Sequence, residues 1–343
     1  MTFKQKTKNS PQIVIDPRFR MSYASFYIKG LMDSYGRENI SYNLLPDYLY
    51  NDTTDYRKGF VFLIGNEKVY IDFDDPSNIS KIHYDWCDIY GKVNCLESDL
   101  TQLNKLKAIG PSFGINILDF HFVKVLWKLF WTLNKPVRFF NYLKDYLFLI
   151  ARRKSLQTYL DSKSEDDYVF SISTLWYDSL TAKTTNKLRG NFLQICKSIF
   201  KEADGGFFYI DNEVVLKEFP QYKDYKIIYK EFIHKNRISS ETYINKTKKS
   251  CLVFNTPSVE GCLGWKLGEY FAMGKAIVST KLNHALPKNI DDEIIFINDE
   301  TEMYHSVLNI KNDGLLRKKM ELKTRQYFED YLSPSAVIKN LIS

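Results

Sequence analysis

The chain has 343 residues, of which 44% are hydrophobic and 26% charged, and it carries a net charge of +7 at pH 7. This composition is that of a globular protein, and the length suits one large or two ordinary domains because a single core stops growing near ~250–300 residues. No run of ~18 apolar residues is present, which excludes a spanning helix, and no apolar run follows the three lysines of Met1–Ser10, so we expect no secretory signal.

The first part of the chain contains short apolar runs bounded by Gly, Asp or Asn. Such runs are typical of buried parallel strands rather than half-exposed ones. One helix is predicted over Phe26–Tyr35, and strands are predicted at Gln12–Asp16, Phe60–Ile64, Val69–Phe73 and Ile89–Val93.

The pattern restarts after a basic, aromatic segment, residues 116–154. Strands are predicted at Tyr168–Ile172, Phe207–Ile210, Lys226–Tyr229, Cys251–Phe254, Ala276–Ser279 and Ile294–Ile297. Helices are predicted near Asn186–Lys201 and at Ser240–Lys248, Lys266–Met273, Glu300–Asn309 and Leu315–Tyr331. Strands that alternate with helices of this length indicate βαβ units with right-handed crossovers. We therefore predict an α/β fold with two domains, residues 1–160 and 161–325, and a C-terminal helix or tail, 326–343, that can cross back to the first domain.

The cysteines and histidines show no metal-binding spacing. Five cysteines, an odd number, occur without a C-x-x-C pair, which favours a reducing compartment and argues against a zinc knuckle. We expect a cytoplasmic protein without a metal site, and any contact with a membrane to be peripheral.

The most informative stretch is a glycine-containing turn that leads into the predicted helix Lys266–Met273. Gly261 and Gly264 lie where the backbone must turn tightly or approach a ligand. The N-terminus of the helix offers N–H groups and a positive dipole end, which suit a diphosphate. Glu260 precedes the turn, and Glu269 within the helix can accept hydrogen bonds from two adjacent hydroxyls, as a carboxylate does with ribose in dinucleotide folds. Solvated glutamates beside a simple turn are the alternative interpretation.

This stretch resembles the retaining glycosyltransferases of the GT-B fold, in the large family-4-like group. Their signature is a Glu, a Gly-containing turn and a second Glu that opens a helix, followed by EAMA-GKPVV; residues 269–278 here read Glu-Tyr-Phe-Ala-Met-Gly-Lys-Ala-Ile-Val. The chain is also similar to a bacterial subgroup that carries GWKLGEYxAxGKAI-ST. The resemblance covers about forty residues, Ser239–Leu282. It departs at one point, since eight residues separate Glu260 from Glu269 whereas the signature has seven.

The resemblance implies two Rossmann-like, doubly wound parallel-sheet domains that face each other across a cleft. It also implies transfer of a sugar, with retention, from a nucleotide-diphosphate sugar to a glycan or lipid-linked glycan, in the synthesis of cell-surface polysaccharide or lipopolysaccharide. No metal cofactor is implied, because basic side chains and helix ends offset the charge of the leaving diphosphate.

The resemblance also suggests site residues. Family members place an Arg/Lys pair after the first strand of the second domain, where Lys183, Lys187 and Arg189 are available, and Arg189 is favoured because its fork suits phosphate oxygens. The candidate catalytic residues are Glu260, Arg189 and Lys266. The candidate donor-binding residues are Glu269, which would hold the ribose, and Gly261, Gly264, Trp265, Leu267, Lys183 and Thr174. Gly114 and Asn116 belong to a loop, predicted to be flexible, that would border the acceptor, although a surface turn is an equal alternative.

Two further functional interpretations remain open. Asp72-Phe73-Asp74 follows a predicted strand, and an Asp-x-Asp at a strand end holds Mn²⁺ or Mg²⁺ in metal-dependent GT-A transferases. The favoured interpretation of the same residues is an acidic turn that ends the strand. A non-catalytic sugar- or membrane-binding module is the second alternative.

The segment between Asn116 and Lys154 concentrates the positive charge of the chain. Eight Lys/Arg occur there with two Asp, which leaves +6 of the total +7, and ten Phe, Trp and Tyr residues are interspersed. The composition favours a helix at an anionic membrane surface, such as the inner face of the plasma membrane. A helical hairpin that packs on the sheet is the second interpretation. Nucleic acid is the third and least favoured, and we expect no nucleic-acid partner.

Overall fold

A computed structural model describes residues 11–50, 59–133, 136–160, 162–177, 181–234, 236–258, 261–290 and 293–343, with only the backbone at residues 50, 129–133 and 136–139. The chain divides into two compact units. The first comprises Met1–Ser155, Ala285–Pro287 and Asp330–Ser343, and the second comprises Leu156–His284 and Lys288–Glu329.

The described part of the chain contains both strands and helices. The strands are β1 (Ile13–Ile15), β2 (Ile40–Tyr42), β3 (Gly59–Ile64), β4 (Glu67–Asp72), β5 (Ile89–Lys92), β6 (Leu106–Ala108), β7 (Tyr168–Thr174), β8 (Glu202–Phe208), β9 (Ile233–His234), β10 (Leu252–Asn255), β11 (Ala276–Thr280) and β12 (Ile294–Ile297). The helices are α1 (Met21–Tyr35), α2 (Lys81–Trp86), α3 (Glu97–Gln102), α4 (Phe120–Leu133), α5 (Pro136–Arg152), α6 (Leu156–Leu160), α7 (Ala182–Ile199), α8 (Glu213–Glu218), α9 (Tyr222–Ile228), α10 (Ser240–Lys249), α11 (Trp265–Ala272), α12 (Glu300–Asn312), α13 (Gly314–Tyr327) and α14 (Pro334–Ile342). The predicted α/β class is confirmed.

The sheet of the first unit has the order β2-β1-β3-β4-β5-β6 and is mixed rather than wholly parallel. Strand β3 runs antiparallel to β1 and to β4, while the other neighbours are parallel. Ile64 pairs with Glu67 across a two-residue turn in which Gly65 has φ 59°. The Gly65-Asn66 dipeptide is a known hairpin signal, because glycine and asparagine tolerate the positive φ that such turns require. The expectation of parallel strands throughout is therefore wrong at β3.

The second unit has a Rossmann-like arrangement of parallel strands. They pair in the orders β10-β11-β12 and β7-β8-β9. Cys251, which leads into β10, donates its backbone N–H to Tyr168 O in β7 at 2.9 Å, so the two groups of strands are neighbours. Stacked rings of Phe192 and Phe254, with centroids 4.8 Å apart, pack α7 against β10. The carboxyl ends of β7, β10 and β11 consequently lie along one edge, the edge at which α/β folds bind ligands.

One predicted strand of the second unit is wrong. Lys226–Tyr229 covers the end of helix α9 and its C-cap, and Tyr222 and the C-cap residue Tyr229, seven residues apart, are buried. Ile227 and Ile228, whose adjacency suggested a strand, are exposed on the opposite side. The aromatic repeat, rather than the isoleucine pair, faces the core.

Helix α14 lies in the segment 326–343, predicted as a C-terminal helix or tail, and packs closely on α1 within the first unit. Ser333 caps α14, since its Oγ accepts from the N–H of Ala336, and Pro334 occupies the first turn, where its missing N–H has no cost. At Gly30 in α1, an added Cβ would collide with the backbone carbonyl of Pro334 and lie 2.8 Å from Ile338 Cγ1. The close approach of the two helices therefore requires glycine at position 30.

None of the helices in the part of the chain that the structure describes is long and apolar enough to cross a membrane.

We expect Gly30→Ala to lower the free energy of unfolding by about 1–3 kcal/mol, because a backbone carbonyl cannot move aside as a flexible side chain does. Chemical denaturation monitored by circular dichroism measures the change. Gly314→Ala is the matched control, since a Cβ there would meet only Arg317 Nη2, at 3.9 Å, and alanine favours a helix. Equal stabilities for the two variants would contradict close packing at Gly30.

Candidate functional site

The candidate site lies at the carboxyl edge of the sheet in the second unit. Helix α11 begins there at Trp265, with Gly264 as its N-cap and no side-chain cap. The preceding turn is closed by hydrogen bonds from Ser258 N to Cys262 O (2.9 Å) and from Gly261 N to Ser258 O (3.0 Å). Gly261 has φ 78°, and a Cβ there would lie 2.6 Å from Asn283 Nδ2. The predicted role of Gly261 as a residue that makes a tight turn is consistent with this conformation.

Arg189 reaches this edge from helix α7. Its Nε donates to Thr256 Oγ1 at 3.0 Å and its Nη1 to the carbonyl of Thr174 at 3.5 Å. The guanidinium also stacks 4.6 Å from the ring centroid of Trp176, a distance at which a cation is attracted to the ring. Burial lowers the pKa of Arg189 to about 10, which leaves the side chain charged at neutral pH. The side chain is thus a cation with a fixed orientation.

Asn186 positions the aromatic partner of this cation. Its Oδ1 accepts from the N–H of Trp176 at 3.0 Å, and its Nδ2 donates to the carbonyl of Trp176 at 2.9 Å. Asn186 is fully buried, so both hydrogen bonds are shielded from water. The segment after β7 is therefore fastened to α7 three residues before Arg189.

Lys266, the second residue of α11, is the second cation of the site. Its ammonium donates to the carbonyl of Ile172 in β7. Burial and, to a lesser extent, the nearby charge of Arg189 lower the pKa of Lys266 to about 7, while Glu269 opposes the shift. Among the described residues, neither Lys266 nor Arg189 forms an ion pair with a carboxylate. Two positive groups are therefore held near each other by neutral oxygens, in an environment that favours an added anion.

Glu269 lies one turn after Lys266 on α11 and is 5% exposed. Its Oε2 accepts a hydrogen bond from the hydroxyl of Tyr243, on α10, at 2.9 Å. Burial and the nearby Glu269 carboxylate raise the pKa of Tyr243 well above its ordinary value, so Tyr243 stays a proton donor. The carboxylate is consequently oriented by a neutral phenol while it remains within the electrostatic reach of Lys266.

The structure brings some predicted donor-binding residues together and separates others. Thr174 ends β7, and its carbonyl accepts from Arg189. Trp265 and Gly264 begin α11, whereas Leu267 is completely buried and packs in the core. Lys183 is exposed in the first turn of α7 and makes none of the contacts described above. Glu260 lies outside the described residues.

The predicted acceptor-side loop belongs to the first unit, and it is largely buried rather than exposed. Gly114 is buried, as is Phe113 beside it. Asn116 donates its backbone N–H to Lys154 O at 2.9 Å and its Nδ2 to Ile150 O at 3.3 Å. The segment is thus fastened to the end of α5. The assignment of Gly114 and Asn116 to an acceptor site stays a prediction.

Asp72, the first carboxylate of the Asp-x-Asp alternative, is engaged inside the first unit. Its Oδ2 accepts from the Tyr90 hydroxyl at 2.6 Å and from Lys92 Nζ at 3.0 Å, and its Oδ1 accepts from the N–H of Asp74 at 2.9 Å. Lys92 is completely buried, so its ion pair with Asp72 is shielded from water. Among the described residues, no group of three or more His, Cys, Asp or Glu could hold a metal ion. The arrangement is that of an internal ion pair that closes a strand.

Sequence reasoning missed Trp176, Asn186, Tyr243 and Thr256. Each contributes through a contact between elements that lie apart in the chain, and a single sequence does not reveal such pairs. Only Asn186 left a signal, as a polar residue on the side of α7 that also carries Phe192 and Leu193 into the core.

No protein-family model matches the chain, and no curated protein matches it. Among solved structures, it is similar to a glycosyltransferase from Rickettsia africae, with 10% identity, a TM-score of 0.43, and coverage of 100% of this chain and 83% of that one. It is also similar to a mutant of S. aureus TarM in complex with fondaparinux, alpha-GlcNAc-glycerol and UDP, with 11% identity, a TM-score of 0.43, and coverage of 79% and 50%. A third is the N-terminal domain of Candida albicans trehalose-6-phosphate phosphatase, with 8% identity, a TM-score of 0.40, and coverage of 79% and 64%. Similarities of this size establish neither a family nor an activity.

The lowered pKa of Lys266 makes stability depend on pH in a defined direction. Between the folded pKa of about 7 and the ordinary lysine value of 10.5, the unfolded chain binds the proton that the folded chain lacks. The free energy of unfolding therefore rises with pH across this range, and the penalty is present in full below pH 7.

We expect Lys266→Met to remove this pH dependence. The stability of the variant relative to the natural chain should fall by about 2 kcal/mol between pH 7 and pH 9, as the natural chain gains stability. Urea denaturation at a series of pH values measures the difference. Lys187→Met, at an exposed lysine of α7, is the matched control and should give a difference that does not change with pH. Parallel curves for the Lys266 variant and the natural chain would contradict a lowered pKa.

Proposed function

We propose that the chain is a glycosyltransferase of the GT-B type that holds a nucleoside-diphosphate sugar at the carboxyl edge of its second unit and transfers the sugar to a glycan acceptor. The observation that carries the proposal is the pair of cations, Arg189 and Lys266, held without an ion-pairing carboxylate among the described residues, beside the buried Glu269. The resemblance of residues 269–278 to the GT-B signature supports the same assignment.

The proposed diphosphate position follows from the charges. A diphosphate between Arg189 and Lys266 would replace repulsion between two cations with attraction to an anion, and charge-assisted hydrogen bonds to phosphate are among the strong ones. The N-terminus of α11 adds its positive dipole end, and Gly264 places no capping side chain over it. These groups would hold the donor without a metal ion.

The proposed role of Glu269 is to bind the ribose. Tyr243 donates to one of its oxygens and fixes the plane of the carboxylate, which can accept further hydrogen bonds from the adjacent ribose hydroxyls. A pyrimidine or purine nucleotide would fit this role equally, since the ribose is common to both.

The proposed reaction needs no enzymic nucleophile. The bond between the anomeric carbon and the diphosphate oxygen breaks, the acceptor oxygen forms the new bond on the same face, and the acceptor proton passes to the departing phosphate. Arg189 and Lys266 would stabilise the negative charge that develops on the leaving diphosphate. The acceptor, a glycan or lipid-linked glycan, and the retention of configuration are parts of the proposal.

A thermal-shift screen with UDP, GDP and their sugars tests the proposal first, because a ligand that binds only the folded chain raises its melting temperature. We expect at least one of these nucleotides to stabilise the chain. If none did at millimolar concentration, the proposed function would be wrong.

We expect Arg189→Met and Glu269→Gln each to weaken binding of that nucleotide at least about tenfold, since a hydrogen bond to a charged group contributes ~1.5–3 kcal/mol. Isothermal titration calorimetry measures the affinity, and turnover of the corresponding nucleotide sugar measures the activity. Lys187→Met, at an exposed lysine on the same helix as Arg189, is the control and should bind normally. Normal binding by both site variants would reject this site, and activity that needs Mn²⁺ and is lost in Asp72→Asn would favour the metal-dependent alternative.

Nucleotide binding should also be coupled to proton uptake at Lys266. Because its pKa is about 7, Lys266 is mostly neutral at pH 8, and a bound diphosphate would raise the pKa and draw in a proton. At pH 6 the group is already protonated, so uptake should vanish. Calorimetry at pH 8 in buffers of different ionisation enthalpy counts the protons, and Lys266→Met should abolish the uptake. Equal uptake in that variant would place the titrating group elsewhere.

A further inference from the structure

Helices α4 and α5 each bury one side in the first unit and expose the other. Phe122 and Leu126 of α4, and Tyr146 and Leu149 of α5, are almost completely buried. This burial confirms internal packing for one side of each helix only. The other side follows the same helical spacing of three and four residues, and the side chains that the structure describes there are exposed.

The exposed sides of the two helices combine large apolar and cationic side chains. We call the following residues the basic aromatic face: Phe120, Lys124, Trp127 and Lys128 of α4, and Phe140, Lys144, Leu147, Phe148 and Arg152 of α5. Phe120 is 76% exposed, Phe140 62% and Trp127 53%. Clusters of large apolar side chains are rarely exposed on soluble proteins.

The negative charges of the same segment point inward. Asp119 accepts hydrogen bonds from Arg37 Nη2 at 2.9 Å and from the Tyr42 hydroxyl at 2.7 Å. Asp145 accepts from the backbone N–H of Ser22 at 3.1 Å and from its hydroxyl at 3.0 Å. The basic aromatic face consequently contains four cations and no carboxylate. In the folded chain the two carboxylates of the segment face inward, so the basic aromatic face carries only positive charges.

We propose that the basic aromatic face docks on a lipid bilayer that contains anionic headgroups. Phenylalanine, leucine and tryptophan side chains at helical spacing can enter the boundary between headgroups and acyl chains, while the lysines and Arg152 stay at the headgroups. Each Lys or Arg near an anionic bilayer contributes about 1 kcal/mol of attraction. The proposal concerns the first unit alone and does not depend on the proposed transferase activity.

Two other occupants fit the same surface less well. A second copy that docked through the same face would bring four cations against four cations, which is repulsive. Nucleic acid would use the cations and could stack its bases on the aromatic rings, but the exposed aliphatic Leu147 would gain little from phosphate contacts. A bilayer uses both kinds of side chain.

Co-sedimentation of the full chain with vesicles tests the proposal. We expect binding to vesicles of phosphatidylglycerol and phosphatidylcholine that weakens as salt rises, and little binding to pure phosphatidylcholine. Reversal of the four charges should reduce the binding at least tenfold, as should replacement of the apolar members by serine. The charge variant is Lys124→Glu, Lys128→Glu, Lys144→Glu and Arg152→Glu, and the apolar variant is Phe120→Ser, Trp127→Ser, Phe140→Ser and Leu147→Ser.

A matched control comes from α13, which also exposes two leucines and two lysines. The control variant, Leu315→Ser, Lys318→Glu, Lys319→Glu and Leu322→Ser, should bind vesicles as the natural chain does. Equal loss in the control and in the charge variant would overturn the proposal, because the effect would then be one of general charge. All of these positions are exposed, and an unchanged melting temperature confirms that the variants fold.

Trp127 gives a second readout that does not need a drastic variant. Vesicles whose acyl chains carry bromine should quench part of the tryptophan fluorescence of the natural chain, and Trp127→Phe should remove that part. Quenching that persists in full in Trp127→Phe would show that another surface enters the bilayer. Two other results would likewise overturn the proposal. In both, the natural chain does not bind vesicles. It either binds RNA in a salt-dependent manner or forms a dimer that the charge variant loses.

Discussion

Two basic side chains brought together in a partly buried place are the constraint on which the candidate site depends. Arg189 comes from the helix that follows β7, and Lys266 comes from the helix that follows β10, so only the parallel pairing of the sheet makes them neighbours. Their mutual repulsion and their loss of water both oppose folding. The opposing contributions are hydrogen bonds to neutral oxygens of Thr256 and Ile172 and the face of Trp176. The pair therefore does not increase the stability of the fold. Groups that are kept at a cost in stability are characteristic of functional sites.

Local patterns predicted the elements that carry this site. The helix from Trp265 to Ala272 follows from its apolar repeat, and the strands on either side follow from short apolar runs between glycine and polar residues. In contrast, the hydrogen bond between Tyr243 and Glu269 joins residues 26 positions apart, and that between Arg189 and Thr256 joins residues 67 apart. A single sequence contains no information about which of many distant polar residues will meet. For the same reason the low pKa of Lys266 could not be foreseen, because it arises from burial by other elements.

Some predictions were wrong although the sequence contained a signal for the correct structure, because a neighbouring pattern favoured a different one. Gly65-Asn66 indicates a hairpin, yet the apolar runs on either side read as buried parallel strands because both faces of this sheet are covered. Ile227-Ile228 suggested a strand, while the tyrosine repeat around it determined a helix. In the segment from 116 to 154, composition predicted an excess of positive charge but not which side of the helices would carry it. The positive side faces outward because Ser22 and Arg37, which are far away in the chain, bind the two aspartates on the inner side.

The contact between α1 and α14 has a consequence for the order in which the chain can fold. The first unit is discontinuous, since it needs Asp330–Ser343 as well as the N-terminal residues. During synthesis, the surface of α1 around Gly30 therefore has no helix to cover it until α14 has left the ribosome. Until then the N-terminal part is an incomplete domain with exposed apolar surface, the kind of species on which chaperones act. The helix that completes the first unit is thus made only after the whole of the second unit.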